Sequence, residues 1–307
     1  MARQDGGAHM TQATVAPGTS VDWRTFAAVA TTVLAWASAF VAIRSAGHDY
    51  TPGALALGRM LVATVAVMAL LLARGEGFPA RAAWPGILIS GLLWFGLYMV
   101  VLNWAEQRVD AGTAAMVIGV GPILIALLGG WLLGEGLPRA LVIGMAVSFA
   151  GAVLVGYSQS GGGGAPVLGV LACLVAAIAY ACGVVAQKPA LRHASALQVT
   201  AFGCLVATVA CLPFSRELVD GIRHAPAGAT ANIVYLGLVP TALAFTTWGY
   251  ALARTTAGKM GATTYVVPAI VIAMSWLLLG EVPGWLTILG GLLCLAGVAM
   301  ARRAPRH

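Results

Sequence analysis

Along the chain, runs of about twenty apolar residues alternate with brief polar breaks. Ten such runs are predicted as helices, near 24–46, 52–73, 84–105, 112–133, 139–157, 167–187, 196–214, 229–252, 261–280 and 285–301. A bilayer core about 30 Å thick takes roughly 20 apolar residues of helix per crossing, and each run is close to that length. The connections are short, so nearly the whole chain is expected in or against lipid. The first apolar run is long enough to span and carries no short cleavage pattern, so no signal peptide is expected. No appended soluble domain is expected either. The fold class is therefore an all-α integral membrane protein with ten transmembrane helices.

Composition strengthens this reading. Only 9% of the 307 residues are charged, 60% are hydrophobic, and the mean hydropathy is +0.90. Ordinary soluble domains carry roughly 25% charge, and a single apolar core stops growing beyond about 250–300 residues. The net charge of +7 reads as topology rather than as a nucleic-acid footprint. With the N-terminus inside, twelve of the seventeen Lys and Arg residues fall on the cytoplasmic side. Arg44, Arg108, Arg216 and Arg223 lie outside, and Arg59 lies within a span. By the positive-inside rule both termini are expected in the cytoplasm, in a bacterial cytoplasmic (inner) membrane. The five cysteines fall inside predicted spans without metal spacing, and read as small packing residues. The five histidines fall in loops or tails. No metal, cofactor or catalytic residue is expected.

The sequence also repeats itself. "LAWASAFVAIR" at 34–44 aligns with "IAYACGVVAQK" at 178–188, and "LVATVA" at 61–66 recurs at 205–210, both at an offset of 144. Arg108, Pro122, Glu135, Gly144 and Gly151 match Arg254, Pro268, Glu281, Gly290 and Gly297 at an offset of 146. The expected organisation is a loose N-terminal tail (1–23), a first half (24–157), a flexible Gly-rich linker (158–166), a second half (167–301) and a basic tail (302–307). Five spans is an odd number, so the two halves would have opposite sense in the membrane. Inverted repeats are the build of secondary transporters, although some channels share it. Both halves lie in one chain, so a monomer could suffice.

The segments "AWASAFVAIR", "MVIGVGPILIALLGGWLLGE" at 116–135, "YVVPAIVIAMSWLLLGE" at 265–281 and "ILGGLLCLAGV" at 288–298, together with Arg59, resemble the EamA half of the drug/metabolite transporter superfamily. The resemblance covers residues 24–301. Within the family the likeness runs to the YddG-type aromatic and broad-range amino-acid exporters. It implies two five-helix repeats and export of amino acids or related metabolites, and not an enzyme. The partners implied are a small-molecule substrate and the lipid bilayer.

Several residues are candidates for a site. Arg59 is the one charged residue well inside a span, so it must face protein or water. It could anchor a carboxylate, or it could snorkel or bond carbonyls. Trp36, Trp94, Tyr98, Tyr180, Trp248 and Tyr265 could line an apolar-aromatic cavity, or could instead face lipid. Ser38 shares a small-residue face with Ala35, Ala42 and Ser45, and reads as packing. Pro122 and Pro268 are candidate hinges, because proline bends a helix or frees a carbonyl. Glu135 and Glu281 read as interfacial carboxylates, each bonding loop amides or a nearby Arg. All ten acids are placed in tails, loops or span ends. The expected function is export by alternating access without a buried coupling carboxylate. The alternative is a proton-coupled multidrug or cation antiporter.

Overall fold

The computed structural model describes residues 23–132, 139–159, 164–254 and 263–302, together with Ala257 and Met260. Each of the ten predicted runs is helical within these bounds. The helices are α1 (Trp23–Ala46), α2 (Pro52–Ala73), α3 (Arg81–Glu106), α4 (Ala111–Leu132), α5 (Arg139–Gln159), α6 (Gly164–Ala190), α7 (Ala196–His224), α8 (Ala227–Arg254), α9 (Val267–Leu279) and α10 (Trp285–Arg302). Seven of them, α1–α4 and α6–α8, are long and apolar enough to cross a membrane. The other three contain the shorter apolar stretches Ala146–Val155, Val267–Leu279 and Trp285–Gly297. No strand occurs among the described residues. The N-terminal tail to residue 22, Glu135 and the tail beyond Arg302 lie outside the described residues. Helices enter the expected linker from both sides, leaving only 160–163 outside the described residues.

Tight polar turns start the helices. Thr51 accepts from the Ala54 amide, with Pro52 supplying a first helical residue that needs no donor. Asp110 accepts from the Thr113 amide at 2.8 Å. Ser195 and Gln198 form a reciprocal capping box at the start of α7. One region departs from expectation. The stretch after Cys211 continues as a 3-10 turn and then as a helix over Ser215–His224, so His224 ends a helix rather than sitting in a loop. The apolar positions of "SRELVDGIRH" cluster on one face, which suits a helix lying at an interface. Leu218 buries that face against α2 beside Gly58.

Contacts between the halves come in reciprocal pairs. Thr64 and Thr208 meet each other at 2.9 Å, and they are counterparts at the 144 offset. Ser148 donates to the Cys294 carbonyl at 2.6 Å while Cys294 approaches the Ser148 carbonyl at 3.2 Å, and these are counterparts at the 146 offset. A Cβ on Gly151 would sit 2.5 Å from the Gly290 carbonyl, and one on Gly297 would sit 2.3 Å from the Gly144 carbonyl. Small residues allow this backbone approach of α5 to α10, where lipid offers no hydrophobic drive. Reciprocity of this kind is what a two-fold relation between similar units produces.

The counterpart relation extends to backbone irregularities. α3 and α8 each contain one π-helical stretch, Gly91–Leu97 and Gly237–Leu243, which are counterparts residue for residue. Pro240 explains the second, since it cannot donate to the regular ladder. Gly91 presses on Val206 and the Gly203 carbonyl, and Gly237 on Val62 and the Arg59 carbonyl. Wide turns of this type concentrate at functional sites.

Candidate functional site

A cavity lies between the halves, lined by residues of α1, α2, α3, α4, α6 and α8 and of the segment around Val267. Trp36, Arg59, Trp94, Tyr98 and Tyr180 all line it. Phe245, which sequence reasoning missed, completes the aromatic wall. Ring centroids lie 5.9 Å apart for Trp36–Trp94, 4.8 Å for Trp94–Phe245, 5.4 Å for Trp94–Tyr180 and 5.9 Å for Tyr98–Tyr180. Trp94 can reach this wall because Gly183 of α6 leaves room: a Cβ there would stand 2.4 Å from the Trp94 Cβ. Trp248 is fully buried but stands in the layer behind, 4.8 Å from Trp36. It supports the wall rather than lining the cavity. The Tyr265 side chain lies outside the described residues, while its neighbours Thr264 and Val267 line the cavity. The cavity volume is about 60 Å³, room for a few waters, so rings must move to admit a metabolite.

Arg59 is 2% exposed. Its Nε donates to Thr241 Oγ1 at 2.5 Å, and Thr241 in turn donates to the Leu236 carbonyl at 2.8 Å. The π-helical turn of α8 presents Thr241 for this contact. No other hydrogen bond from the Arg59 side chain is found among the described residues. The guanidinium therefore brings unused donors to an otherwise apolar and aromatic wall. The counterpart contact in the other half has a different chemistry. Gly203 stands where Arg59 does and Phe95 where Thr241 does, and a Cβ on Gly203 would sit 2.7 Å from the Phe95 ring. The fold keeps the contact in both halves and makes it cationic in only one.

The acids hold a second departure from expectation. Glu106 does end a span, but it is 1% exposed, and neither carboxylate oxygen has a hydrogen-bond partner among the described residues. The signal was present in the sequence: Tyr98, Leu102 and Glu106 are spaced four apart, on one helical face. Tyr98 and Leu102 line the cavity. Arg44 donates to the Glu106 backbone carbonyl at 2.7 Å and to Glu281 Oε1 at 2.8 Å. Glu281 thus has the Arg partner expected for it. Arg44 also borders a second cavity of about 480 Å³ shared with Tyr50, Pro52 and Gln107, while the adjacent Ile43 borders the aromatic one. The Arg44–Glu281 pair spans the two halves between these spaces.

The prolines do not bend continuous helices. Pro122 is the second residue of the segment Gly121–Leu132, which restarts after a turn at Gly119–Val120. Pro268 is the second residue of α9, after a 3-10 turn at Thr264–Val266. At that position the missing amide costs no intrahelical bond. Each proline marks a break. Ile118, Gly119, Thr264 and Pro268 bring those breaks to the cavity edge. Ser38 donates to the Ala35 carbonyl and meets Tyr235, a packing role as expected. The five cysteines are free thiols.

Comparison with known proteins places the chain. A model described as the EamA-like transporter family matches it twice, over residues 23–157 and 167–303. A "probable terminal-alkyne amino-acid exporter" of Streptantibioticus cattleyicolor is 37% identical over 276 residues, covering 90% of this chain and 92% of the relative. A "probable amino-acid metabolite efflux pump" of Salmonella typhimurium is 26% identical, covering 87% of this chain and 90% of its own length. A solved crystal structure superposes with a TM-score of 0.65 at 22% identity, covering 92% of this chain and 99% of that one. That likeness shows the fold alone.

Proposed function

The chain belongs to the EamA-like transporter family, and on that premise we propose that it exports amino acids, aromatic or broad-range, across a bacterial cytoplasmic membrane. The observation that carries this reading is Arg59. It is a buried guanidinium with unused donors on an aromatic cavity wall, a combination suited to a carboxylate joined to an apolar side chain. Relatives named as amino-acid exporters point the same way.

Ten spans arranged as two inverted halves, with both termini cytoplasmic, would place the two-fold axis in the membrane plane. Rocking of the halves about that axis would open the cavity to each side in turn. Pro122 and Pro268 would serve as hinges, since the broken backbone beside each already lacks regular helical bonding. Arg44–Glu281 would act as the outer closure. One chain holds both halves, so a monomer would suffice.

The alternative is proton-coupled efflux of cationic drugs. Glu106 gives it the buried carboxylate that the sequence reading lacked, but Arg59 on the cavity wall repels a cation. Counterflow in proteoliposomes, with a panel of amino acids and of quaternary amines, decides between the two. Exchange of amino acids supports the proposal, and exchange of quaternary amines alone overturns it.

A further inference from the structure

The carboxylate of Glu106 is the charged group that the fold least requires. Its repeat counterpart is Leu252, and Lys188, the counterpart of Arg44, donates to the Leu252 backbone carbonyl at 2.6 Å. Arg44 makes the same bond to the Glu106 backbone carbonyl. The architectural task at this position, accepting a bond from the basic residue that ends the first helix of each half, is thus done by the backbone in both halves. A leucine side chain suffices in one of them. The carboxylate adds nothing to that contact, is almost wholly buried, and has no hydrogen-bond partner among the described residues.

Its surroundings point to a ligand. Glu106 lies one helical turn beyond Leu102, about 6 Å along α3; Tyr98 and Leu102 of the same face line the aromatic cavity, and Glu106 is buried next to them. The cations facing it are Arg44 and Arg59, and the anions are Glu281 and Asp110. The hydrogen bonds of Arg44 go to Glu281 and to the backbone, and that of Arg59 to Thr241. The carboxylate is therefore buried one turn behind the cavity-lining Leu102, among these charges, with its hydrogen-bonding capacity unused. Arg59 supplies the opposite charge on the cavity wall.

We propose that Glu106 binds the ammonium group of the cargo while Arg59 binds its carboxylate, so that the site selects intact zwitterionic amino acids over their deaminated acids. This rests on the amino-acid reading above, and it names the pole that reading left unassigned.

The test uses the full-length protein in proteoliposomes, with L-phenylalanine as the exchanged probe and 3-phenylpropionate, which lacks the ammonium, as competitor. Glu106→Gln is expected to raise the half-saturation concentration for phenylalanine at least tenfold. Inhibition by 3-phenylpropionate should be unchanged or stronger, and Glu106→Asp should recover part of the loss. Glu106→Leu, the residue found at the counterpart position, provides a second variant compatible with the fold and should behave like the glutamine variant. The inference is overturned if phenylalanine half-saturation stays within twofold of wild type, or if both ligands weaken together. It is also overturned if only the response to an imposed proton gradient changes while discrimination between the ligands persists. Wild-type protein that exchanges no amino acid at all would instead defeat the proposed function, and this inference with it.

Discussion

Replacing Arg59 by methionine removes the guanidinium and keeps most of the apolar stem. For the fold, the removed group is a charge held at 2% exposure inside a span. On insertion scales such a group costs about 2.5–3.5 kcal/mol at the centre of a transmembrane helix. Its charge-assisted bond to Thr241 returns about 1.5–3 kcal/mol, and Thr241 keeps its own bond to the Leu236 carbonyl. Arg59→Met should therefore leave the unliganded protein as stable as wild type, or up to about 2 kcal/mol more stable. For the cargo, a charge-assisted bond to a carboxylate is worth about 1.5–3 kcal/mol. At 1.4 kcal/mol per factor of ten, half-saturation for an amino acid should rise roughly tenfold to a hundredfold. Thermal melting of detergent-purified protein, paired with counterflow in proteoliposomes, reads both effects. Opposite movements of stability and affinity mark a functional arginine. Stability and exchange that fall together would refute the reasoning, because Arg59 would then be holding the halves in place. Normal exchange by the methionine variant would refute it as well.

Other substitutions follow from the packing. Gly183→Ala should destabilise by about 1–3 kcal/mol by overpacking and should displace Trp94, because the new Cβ would meet the Trp94 Cβ at 2.4 Å; Trp fluorescence and melting check both effects. Thr64→Val and Thr208→Val should each lower the melting temperature, while the double variant should cost less than the sum. Their 2.9 Å bond joins one hydroxyl to the other, and removing both leaves neither unpaired. Arg44→Gln should cost less than about 1 kcal/mol, since the ion pair with Glu281 is partly exposed. It should nevertheless speed labelling of a Leu102→Cys variant by a membrane-impermeant thiol reagent added outside, and unchanged labelling would remove Arg44 from the outer closure.

Much of the fold was legible because lipid imposes a simple rule: a span must satisfy its backbone internally and present apolar side chains. That rule locates all ten helices, and the two repeat offsets foretell which residues meet across the halves. The breaks were less legible. Proline at 122 and 268 announces an irregularity, but the same residue can kink a helix or begin one, and only the neighbouring turns distinguish these outcomes. The π-helical stretch at Gly91–Leu97 has no proline to announce it, and its counterpart at Gly237–Leu243 does.

Five of the seven cavity residues expected from the sequence line the cavity: Trp94 and Tyr98, four apart, stay on one face of α3 once folded, and Trp36, Arg59 and Tyr180 each reach it from a different helix. Trp248 was expected among them, but the crossing of α8 over α1 turns it behind Trp36. Phe245 joins the wall for the same reason, and no periodicity within α8 separates the two. Glu106 shows the limit most clearly. A carboxylate at the end of an apolar run is ordinarily an interfacial charge, and the sequence alone assigns it to water. Burial of this one depends on α1 closing over the end of α3 through Arg44, a contact between residues 62 positions apart in the chain. The sequence by itself determined the membrane, the apolar helical runs and the repeat, because those follow from hydropathy and from comparison of the chain with itself. The tertiary structure decided which charges face the cavity, because the direction of a side chain depends on the rotation and crossing of helices that linear spacing does not encode.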